Sequence, residues 1–360
     1  MRILIINTNK FDRNGMSSFV MNYIQAFRRQ SVDVDLVYNI SIDDDFRKEL
    51  KNLSVGVKFL GPRNSNPIGY VKSLRNFAKK GNYDVVYVQG NSATLAVEAF
   101  ALRNLNALVV MHAHGMTTNH PIINKLLKLY FLNHFDLGFA ASHPAGDFLF
   151  SNKNYTVIKN AIDVSDYQFS NSDRQSFRKQ LGIDSDTKLI VQLAAFTDQK
   201  NYPFTVQLAK QFQGVSNIKF LLFGEGANKE GIISSIEEEK IQRVVEVKPA
   251  TSDVKGVLAA ADGVIFPSLY EPFGIVALEA QAMGVPVAVS DQFVSDLDIT
   301  DEIDYLPLDA DAWKRWIEEL PIDKTRTVPV NHEKIIERGF DIQENAQQML
   351  RIFERALSNK

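Results

Sequence analysis

Residues 265–290 read IFPSLYEPFGIVALEAQAMGVPVAVS. An apolar strand is predicted to end at Phe266, and a polar loop then runs to Glu271. Pro272-Phe273-Gly274 begins a helix that Gly284 ends, and the Val-Pro-Val run after it predicts a second buried strand. The free N–H groups and positive dipole at such a helix start suit a phosphate group. The segment therefore predicts a strand–helix–strand unit with an anion site at its helix mouth.

Two carboxylates stand eight residues apart in this unit. Glu271 lies at the mouth of the predicted helix and Glu279 lies two turns inside it. Such a pair can act as acid and base, or as hydrogen-bond acceptors for sugar hydroxyls. Two Glu at this spacing usually arise by chance, but the elements around them favour a functional site.

Short apolar runs alternate with helical patterns along the rest of the chain, which predicts an α/β fold with right-handed crossovers. Both-faces-apolar runs of this length are typical of buried parallel strands. The predicted strands are 3–6, 35–38, 84–88, 107–111, 137–141, 189–193, 218–223, 244–247, 263–266 and 285–289. Helices are predicted at 17–28, 70–80, 93–102, 202–212 and 275–283.

The length of 360 residues predicts two domains. The alternation pauses at 160–172, a polar stretch with no strong period, and the boundary is placed there. The predicted domains are 1–165 and 166–341, and the helix 342–358 is expected to pack back on the first. Two doubly wound domains of this size predict a cleft faced by the carboxyl ends of both sheets.

Composition excludes several classes of protein. The chain has no cysteine, which excludes a disulfide scaffold, a thiol nucleophile and a cysteine-zinc site. The N-terminal apolar run is too short for an export signal and no stretch is long enough to span a bilayer, so a cytoplasmic protein is expected. The net charge of −3 points to no nucleic-acid partner. Residues 1–165, however, hold 19 Lys and Arg against 12 Asp and Glu, a net charge of +7.

The segment 265–290 resembles the Glu-x7-Glu signature of retaining GT-B glycosyltransferases of family four (glycosyl transferases group 1), a family with many bacterial capsule and exopolysaccharide enzymes. The resemblance covers essentially the whole chain and implies two Rossmann-like domains with an interdomain cleft. It also implies that Glu271 contacts the donor sugar and that Glu279 accepts hydrogen bonds from the nucleotide ribose. The backbone amides of Phe273, Gly274 and Ile275 are implied to meet the sugar and the diphosphate.

Further stretches fit the family in order. Asn14-Gly15-Met16 resembles its Gly-Gly loop, which implies that the backbone at Gly15 approaches the diphosphate and the acceptor. His112-Ala113-His114-Gly115 stands where the family has a His facing the donor sugar, and His114 is assigned to that role. No third ligand accompanies this His-x-His pair, so no metal is expected. Residues 157–163, VIKNAID, resemble the family's linker, with Ala161 in place of Gly.

The stretch 193–201, LAAFTDQKN, resembles the family's diphosphate loop. Lys200 matches the family's Lys, but Ala195 occupies the position of its Arg. The loss of one charge-assisted phosphate contact costs about 1.5–3 kcal/mol, or roughly ten- to a hundred-fold in binding. Gly224-Glu225-Gly226 fits the family's Gly-x-Gly turn beside the nucleotide, with the base expected near 247–250.

The resemblance predicts a retaining, metal-independent hexosyltransferase with Glu271, His114 and Lys200 as catalytic residues and with no cofactor beyond a nucleotide-sugar co-substrate, expected to be a UDP-sugar. The acceptor is expected to be a saccharide or lipid-linked saccharide of polysaccharide biosynthesis. Two alternatives stay open: a non-catalytic GT-B partner of an active glycosyltransferase, which the missing Arg would suit, and a GT-B sugar-nucleotide epimerase.

A basic first domain suits an acceptor at an anionic membrane face. The stretch 122–135 is amphipathic and carries Lys125 and Lys128, which predicts a peripheral contact with that face. The alternative is an ordinary solvated helix.

Overall fold

The computed structural model describes residues 1–12, 15–115, 118, 120–271, 273–322 and 326–360. The chain forms two compact units, one of Met1–Ala161 with Gly339–Lys360 and one of Ile162–Arg338. Each unit is built around a parallel sheet, so the predicted α/β class is confirmed. The chain passes from the first unit to the second after Ala161, four residues before the predicted boundary.

The first unit has a seven-stranded sheet in the order β3-β2-β1-β4-β5-β6-β7, with every pair parallel. Its elements are β1 (Arg2–Asn7), α1 (Gly15–Arg29), β2 (Asp33–Tyr38), α2 (Asp44–Asn52), β3 (Gly56–Phe59), α3 (Pro67–Gly81), β4 (Val85–Gly90), α4 (Ala96–Leu102), β5 (Leu108–Ala113), α5 (Pro121–Leu132), β6 (Leu137–Ala140), α6 (His143–Phe150), β7 (Thr156–Val157) and, after the second unit, α14 (Ile342–Ser358).

The second unit has a six-stranded parallel sheet in the order β10-β9-β8-β11-β12-β13. Its elements are α7 (Asn171–Leu181), β8 (Lys188–Leu193), α8 (Tyr202–Lys210), β9 (Ile218–Phe223), α9 (Lys229–Glu238), β10 (Val245–Lys248), α10 (Val254–Ala260), β11 (Gly263–Phe266), α11 (Ile275–Ala282), β12 (Val287–Ser290), β13 (Ile303–Leu306), α12 (Ala310–Glu319) and α13 (Val328–Glu337).

Both sheets reverse their strand order at one point, between β1 and β4 in the first unit and between β8 and β11 in the second. At such a point the loops leave the carboxyl ends of neighbouring strands in opposite directions, which opens a crevice for a ligand. The loops after these four strands are therefore the parts of the fold that position a site.

The sequence did not predict three of the observed strands, β3, β7 and β13. All three lie at sheet edges and only one residue among them, Ile303, is buried. An edge strand packs on fewer neighbours than a central one, so it lacks the continuous apolar run of β1 or β8. The strand predicted to end at Met111 continues to Ala113, which makes His112 a buried residue of β5.

Helix α14 completes the core of the first unit. Ile342, Ala346, Met349 and Phe353 form its buried stripe, at the spacing of an amphipathic helix. The ring of Phe353 lies 5.8 Å from that of Phe139 on β6, and α14 also packs against α1. In the part of the chain that the structure describes, no helix combines the length and apolar character needed to cross a bilayer.

Candidate active site

The reversal point of the second sheet carries an ion pair. Lys200 ends a short 3-10 turn after β8, and its Nζ donates to Oε2 of Glu271, which follows β11. Glu271 is buried and Lys200 is nearly so, with side chains 9% and 19% exposed. The structure thus brings together two residues that lie seventy-one positions apart in the sequence.

Hydrogen bonds to backbone carbonyls hold these two loops in place. The N–H of Leu269 donates to the carbonyl of Gln199 at 2.9 Å, and Nε2 of Gln199 donates to the carbonyl of Tyr270 at 2.7 Å. The carbonyl of Lys200 in turn accepts from Nε2 of Gln192 at 3.0 Å. Gln199 and Gln192 were not predicted as site residues, because side chain-to-backbone bonds leave no pattern in a sequence.

The loop after β11 ends at Gly274, which stands at the N-cap of α11 with φ of 87°. Only glycine adopts this conformation without strain, and a Cβ here would also lie 2.6 Å from the ring of Phe293. Phe293 pairs with Glu271 through a parallel bridge, so it supports both sides of the helix mouth. No side-chain hydrogen bond from the described residues caps α11, so the backbone N–H groups of its first turn can bind a ligand. Pro272 lies outside the described residues.

Glu279 lies one turn into α11 and offers a free oxygen. Its Oε1 accepts a hydrogen bond from the hydroxyl of Tyr167 at 2.7 Å, while its Oε2 is buried without a partner among the described residues. Burial raises the pKa of Glu279 to about 7, against the smaller opposing effects of the Tyr167 hydrogen bond and of Lys255. A buried oxygen of this kind is suited to accept from a ligand hydroxyl.

The loop that contains Ala195 packs against the turn at Gly224. A Cβ at Gly224 would lie 2.1 Å from the carbonyl oxygen of Ala194, so this turn requires glycine. The backbone N–H of Asn228 donates to the carbonyl of Phe196 at 3.2 Å. The next residue, Lys229, begins α9 and pairs with Glu225 at 2.9 Å.

The first unit positions His114 directly after β5. Its Nε2 bonds to Oε1 of Gln89 on β4 at 2.7 Å, which makes Nε2 the protonated nitrogen and leaves Nδ1 as an acceptor. Burial lowers the pKa of His114 to about 3, so the ring is neutral near pH 7. His112 lies below it, stacked at 4.2 Å between ring centroids and bonded through Nδ1 to the hydroxyl of Tyr87.

Helix α1 covers the two histidines. The ring of Phe19 contacts both of them edge-on, at 4.8 Å from His112 and 4.9 Å from His114. Gly15 is the first residue of α1, and a Cβ there would meet no heavy atom of the described residues within 4 Å. Packing among those residues therefore does not require glycine at this position. Asn14, the other residue of the predicted loop, lies outside the described residues.

The predicted site residues thus fall into two groups. Gly15 and His114 lie in the first unit, at the carboxyl edge of its sheet. The second unit contributes Lys200, Gly224, Glu271, Phe273, Gly274, Ile275 and Glu279. The described residues contain no cluster of three or more acidic or histidine side chains able to hold a metal ion.

Two family models match the chain. Residues 173–302 match Glycosyl transferases group 1, and residues 13–166 match Glycosyltransferase Family 4. EpsF of Bacillus subtilis (strain 168), a protein named as a glycosyltransferase, is 25% identical over 95% of this chain and 94% of its own length. Together these matches identify the two domains of a glycosyltransferase.

Solved structures share the fold over the full length. HepE of Anabaena in complex with UDP-glucose is 18% identical, with a TM-score of 0.77 and full coverage of both chains. A glycosyltransferase from Rickettsia africae is 16% identical, with a TM-score of 0.81 and full coverage of both chains. The predicted GT-B fold is confirmed.

Proposed function

We propose that this GT-B-type glycosyltransferase moves a sugar from a UDP-sugar to a saccharide or lipid-linked saccharide of a polysaccharide pathway, with retention of the anomeric configuration. The observation that carries the proposal is the Lys200–Glu271 pair at the reversal point of the second sheet, beside the mouth of α11. The choice of UDP follows the complexes of the structural relative HepE with UDP and with UDP-glucose.

The second unit supplies groups for each part of a donor. Positive charge for the diphosphate comes from Lys200 and from the N-terminus of α11, where the backbone N–H groups and the helix dipole point outward. The free Oε2 of Glu279 accepts from a ribose hydroxyl. Glu271, whose Oε2 is paired with Lys200, accepts from hydroxyls of the transferred sugar.

The proposed transfer needs no covalent intermediate on the protein. The bond from the anomeric carbon to the β-phosphate oxygen breaks while the acceptor oxygen approaches from the same face, and the departing phosphate takes the acceptor's proton. Lys200 and the α11 N-terminus stabilise the charge that develops on the leaving group. Glu271 is not assigned as a nucleophile, because same-face attack by the acceptor forms no bond between the sugar and the protein.

His114 contributes a neutral imidazole. Because Gln89 holds the proton on Nε2, Nδ1 can accept from a ligand hydroxyl, and the low pKa excludes an imidazolium near pH 7. We assign His114 to accepting a hydrogen bond rather than to proton transfer.

Lys229 takes the place of the arginine that this chain lacks at Ala195. The bonds from Asn228 to Phe196 and Asp198 join the start of α9 to the loop of Ala195, so the fold brings Lys229 to this loop in addition to Lys200. Its partner Glu225 is 53% exposed, and an exposed pair contributes little stability. Lys229 can therefore exchange Glu225 for a phosphate at small cost.

A non-catalytic partner subunit is the second candidate, and Ala195 is the observation that favours it. Calorimetry with UDP separates the two. Binding that Glu279→Ala abolishes supports the enzyme, and the absence of binding to any nucleotide supports the partner.

The same preparation tests the finer claims. Incubation with UDP-glucose and an acceptor, followed by NMR of the anomeric proton, gives the stereochemistry, and an inverted product refutes retention. Activity that persists in EDTA supports metal independence, while loss that Mg²⁺ restores refutes it.

A further inference from the structure

Helix α5 turns an apolar face to solvent. Ile122, Leu126 and Leu129 are each 75% exposed and Ile123 is 47% exposed. The spacing of 122, 126 and 129 places them on one side of the helix. We call these four residues the apolar stripe. Single exposed aliphatic residues are ordinary, but four on one short helix mark an interaction surface.

The stripe cannot turn inward, because α5 is fixed on its other side. Phe131 is fully buried in the core of the first unit, and Oδ1 of Asn124 accepts from the N–H of Ala93 at 2.7 Å. Nζ of Lys128 donates to the carbonyls of Phe148 and Leu149 at 2.6 Å each. Lys128 was predicted to face an anionic surface, and this prediction is wrong because its ammonium group is bound to the end of α6.

The surroundings of the stripe are basic. Helices α3, α4 and α5 pack side by side and carry one acidic residue, Glu98, which is buried and paired with Arg63. Lys125 is exposed on α5 itself, between the residues of the stripe. Further basic side chains on these helices and just after α4 are Lys72, Arg75, Lys79, Lys80 and Arg103. An apolar stripe flanked by cations and by no exposed carboxylate on its own helices complements a surface that is both apolar and anionic.

We propose that the apolar stripe inserts into the interfacial region of an anionic lipid bilayer, with Lys125 and the neighbouring cations on the lipid headgroups. Helix α5 follows β5 after His114, so a membrane at the stripe lies near the carboxyl edge of the first sheet. A lipid-linked saccharide would then reach that edge from the membrane. The proposal goes beyond the transfer reaction and does not require it.

Vesicle flotation of the full chain tests the proposal. Wild-type protein is expected to float with vesicles of phosphatidylcholine mixed with phosphatidylglycerol, and to bind phosphatidylcholine alone about tenfold more weakly or worse. The double variant Leu126→Ser/Leu129→Ser loses about 100-fold in binding, because two leucines no longer leave water. Lys125→Glu lowers binding about tenfold, and added salt removes the difference.

Matched controls separate the stripe from exposed aliphatic residues in general. Val215→Ser and Val330→Ser change side chains of the second unit that are 40% and 50% exposed, and they should leave flotation unchanged. All variants should bind UDP like the wild type, and a loss of flotation then does not come from damage to the donor site. Equal flotation of the leucine variant, or equal binding to both vesicle types, overturns the proposal. A dimer that the leucine variant converts to a monomer also overturns it, since a second copy then covers the stripe.

Discussion

Replacement of Glu279 by Gln should weaken donor binding and stabilise the second unit at the same time. The carboxyl of Glu279 has a pKa of about 7, raised by burial from an ordinary value of 4.5. In the folded protein the ionised form is therefore disfavoured. The stability that goes with the neutral form is present below about pH 4.5 and is lost as the pH rises through 7.

The size of the effect follows from this shift. A rise of the pKa of Glu279 from 4.5 to about 7 corresponds to about 3 kcal/mol. Above pH 7 the ionised carboxyl lowers the free energy of unfolding by this amount. Gln has no ionised form, so the variant does not lose this stability. For a unit of this size, about 3 kcal/mol raises the melting temperature by roughly 6–12 °C. UDP affinity falls about five- to tenfold, because a hydrogen bond to a charged acceptor is replaced by a neutral one that is about 1–1.5 kcal/mol weaker.

Calorimetric melting at about pH 4, about pH 6 and about pH 8 follows the transition of the second unit. The difference in melting temperature between Glu279→Gln and wild type should be near zero at the lowest pH and largest at the highest. Glu239→Gln is the control: that half-buried carboxyl pairs with Lys210, which lowers its pKa, and its loss should not stabilise the unit. A gap of equal size at all three pH values would refute the reasoning.

Two further predictions concern the same site. Tyr167→Phe removes the hydroxyl that lowers the pKa of Glu279, so this carboxyl ionises at a higher pH. Because the ionised carboxyl is the better acceptor for the ribose hydroxyl, the pH at which UDP affinity rises should move up. Tyr155→Phe, which breaks a Tyr–Asp hydrogen bond of the same 2.7 Å length in the first unit, should leave that calorimetric profile unchanged. Lys229→Ala should weaken UDP binding about tenfold, and Ala195→Arg should restore it in that background. If the same calorimetry shows that the arginine does not restore UDP affinity, Lys229 does not bind the diphosphate.

The fold followed from the sequence wherever strands were buried on both faces. The run Leu189–Leu193 and the run Ile218–Phe223 are central strands, and both were predicted to within one residue. Edge strands such as Ile303–Leu306 were missed, because partial exposure lets polar residues interrupt the apolar run.

A spacing or a motif in the sequence marked the candidate site residues. Lys200, Glu271 and Glu279 were predicted, and the structure places all three in the second unit. The groups that orient them were not predictable: Tyr167 reaches Glu279 across 112 residues and Gln89 reaches His114 across 25. Such contacts depend on which strands and loops become neighbours, and a single sequence does not encode that in a local pattern.

The return of the chain to its first unit sets an order for folding during synthesis. Residues 162–338 emerge from the ribosome as one continuous unit and can fold as they appear. The core of the first unit is complete only when four residues of α14 have been translated, after the whole second unit. These residues are Ile342, Ala346, Met349 and Phe353. Until then α1 and the central strands keep an uncovered apolar face, so a ribosome stalled near residue 340 would hold a nascent chain that chaperones recognise.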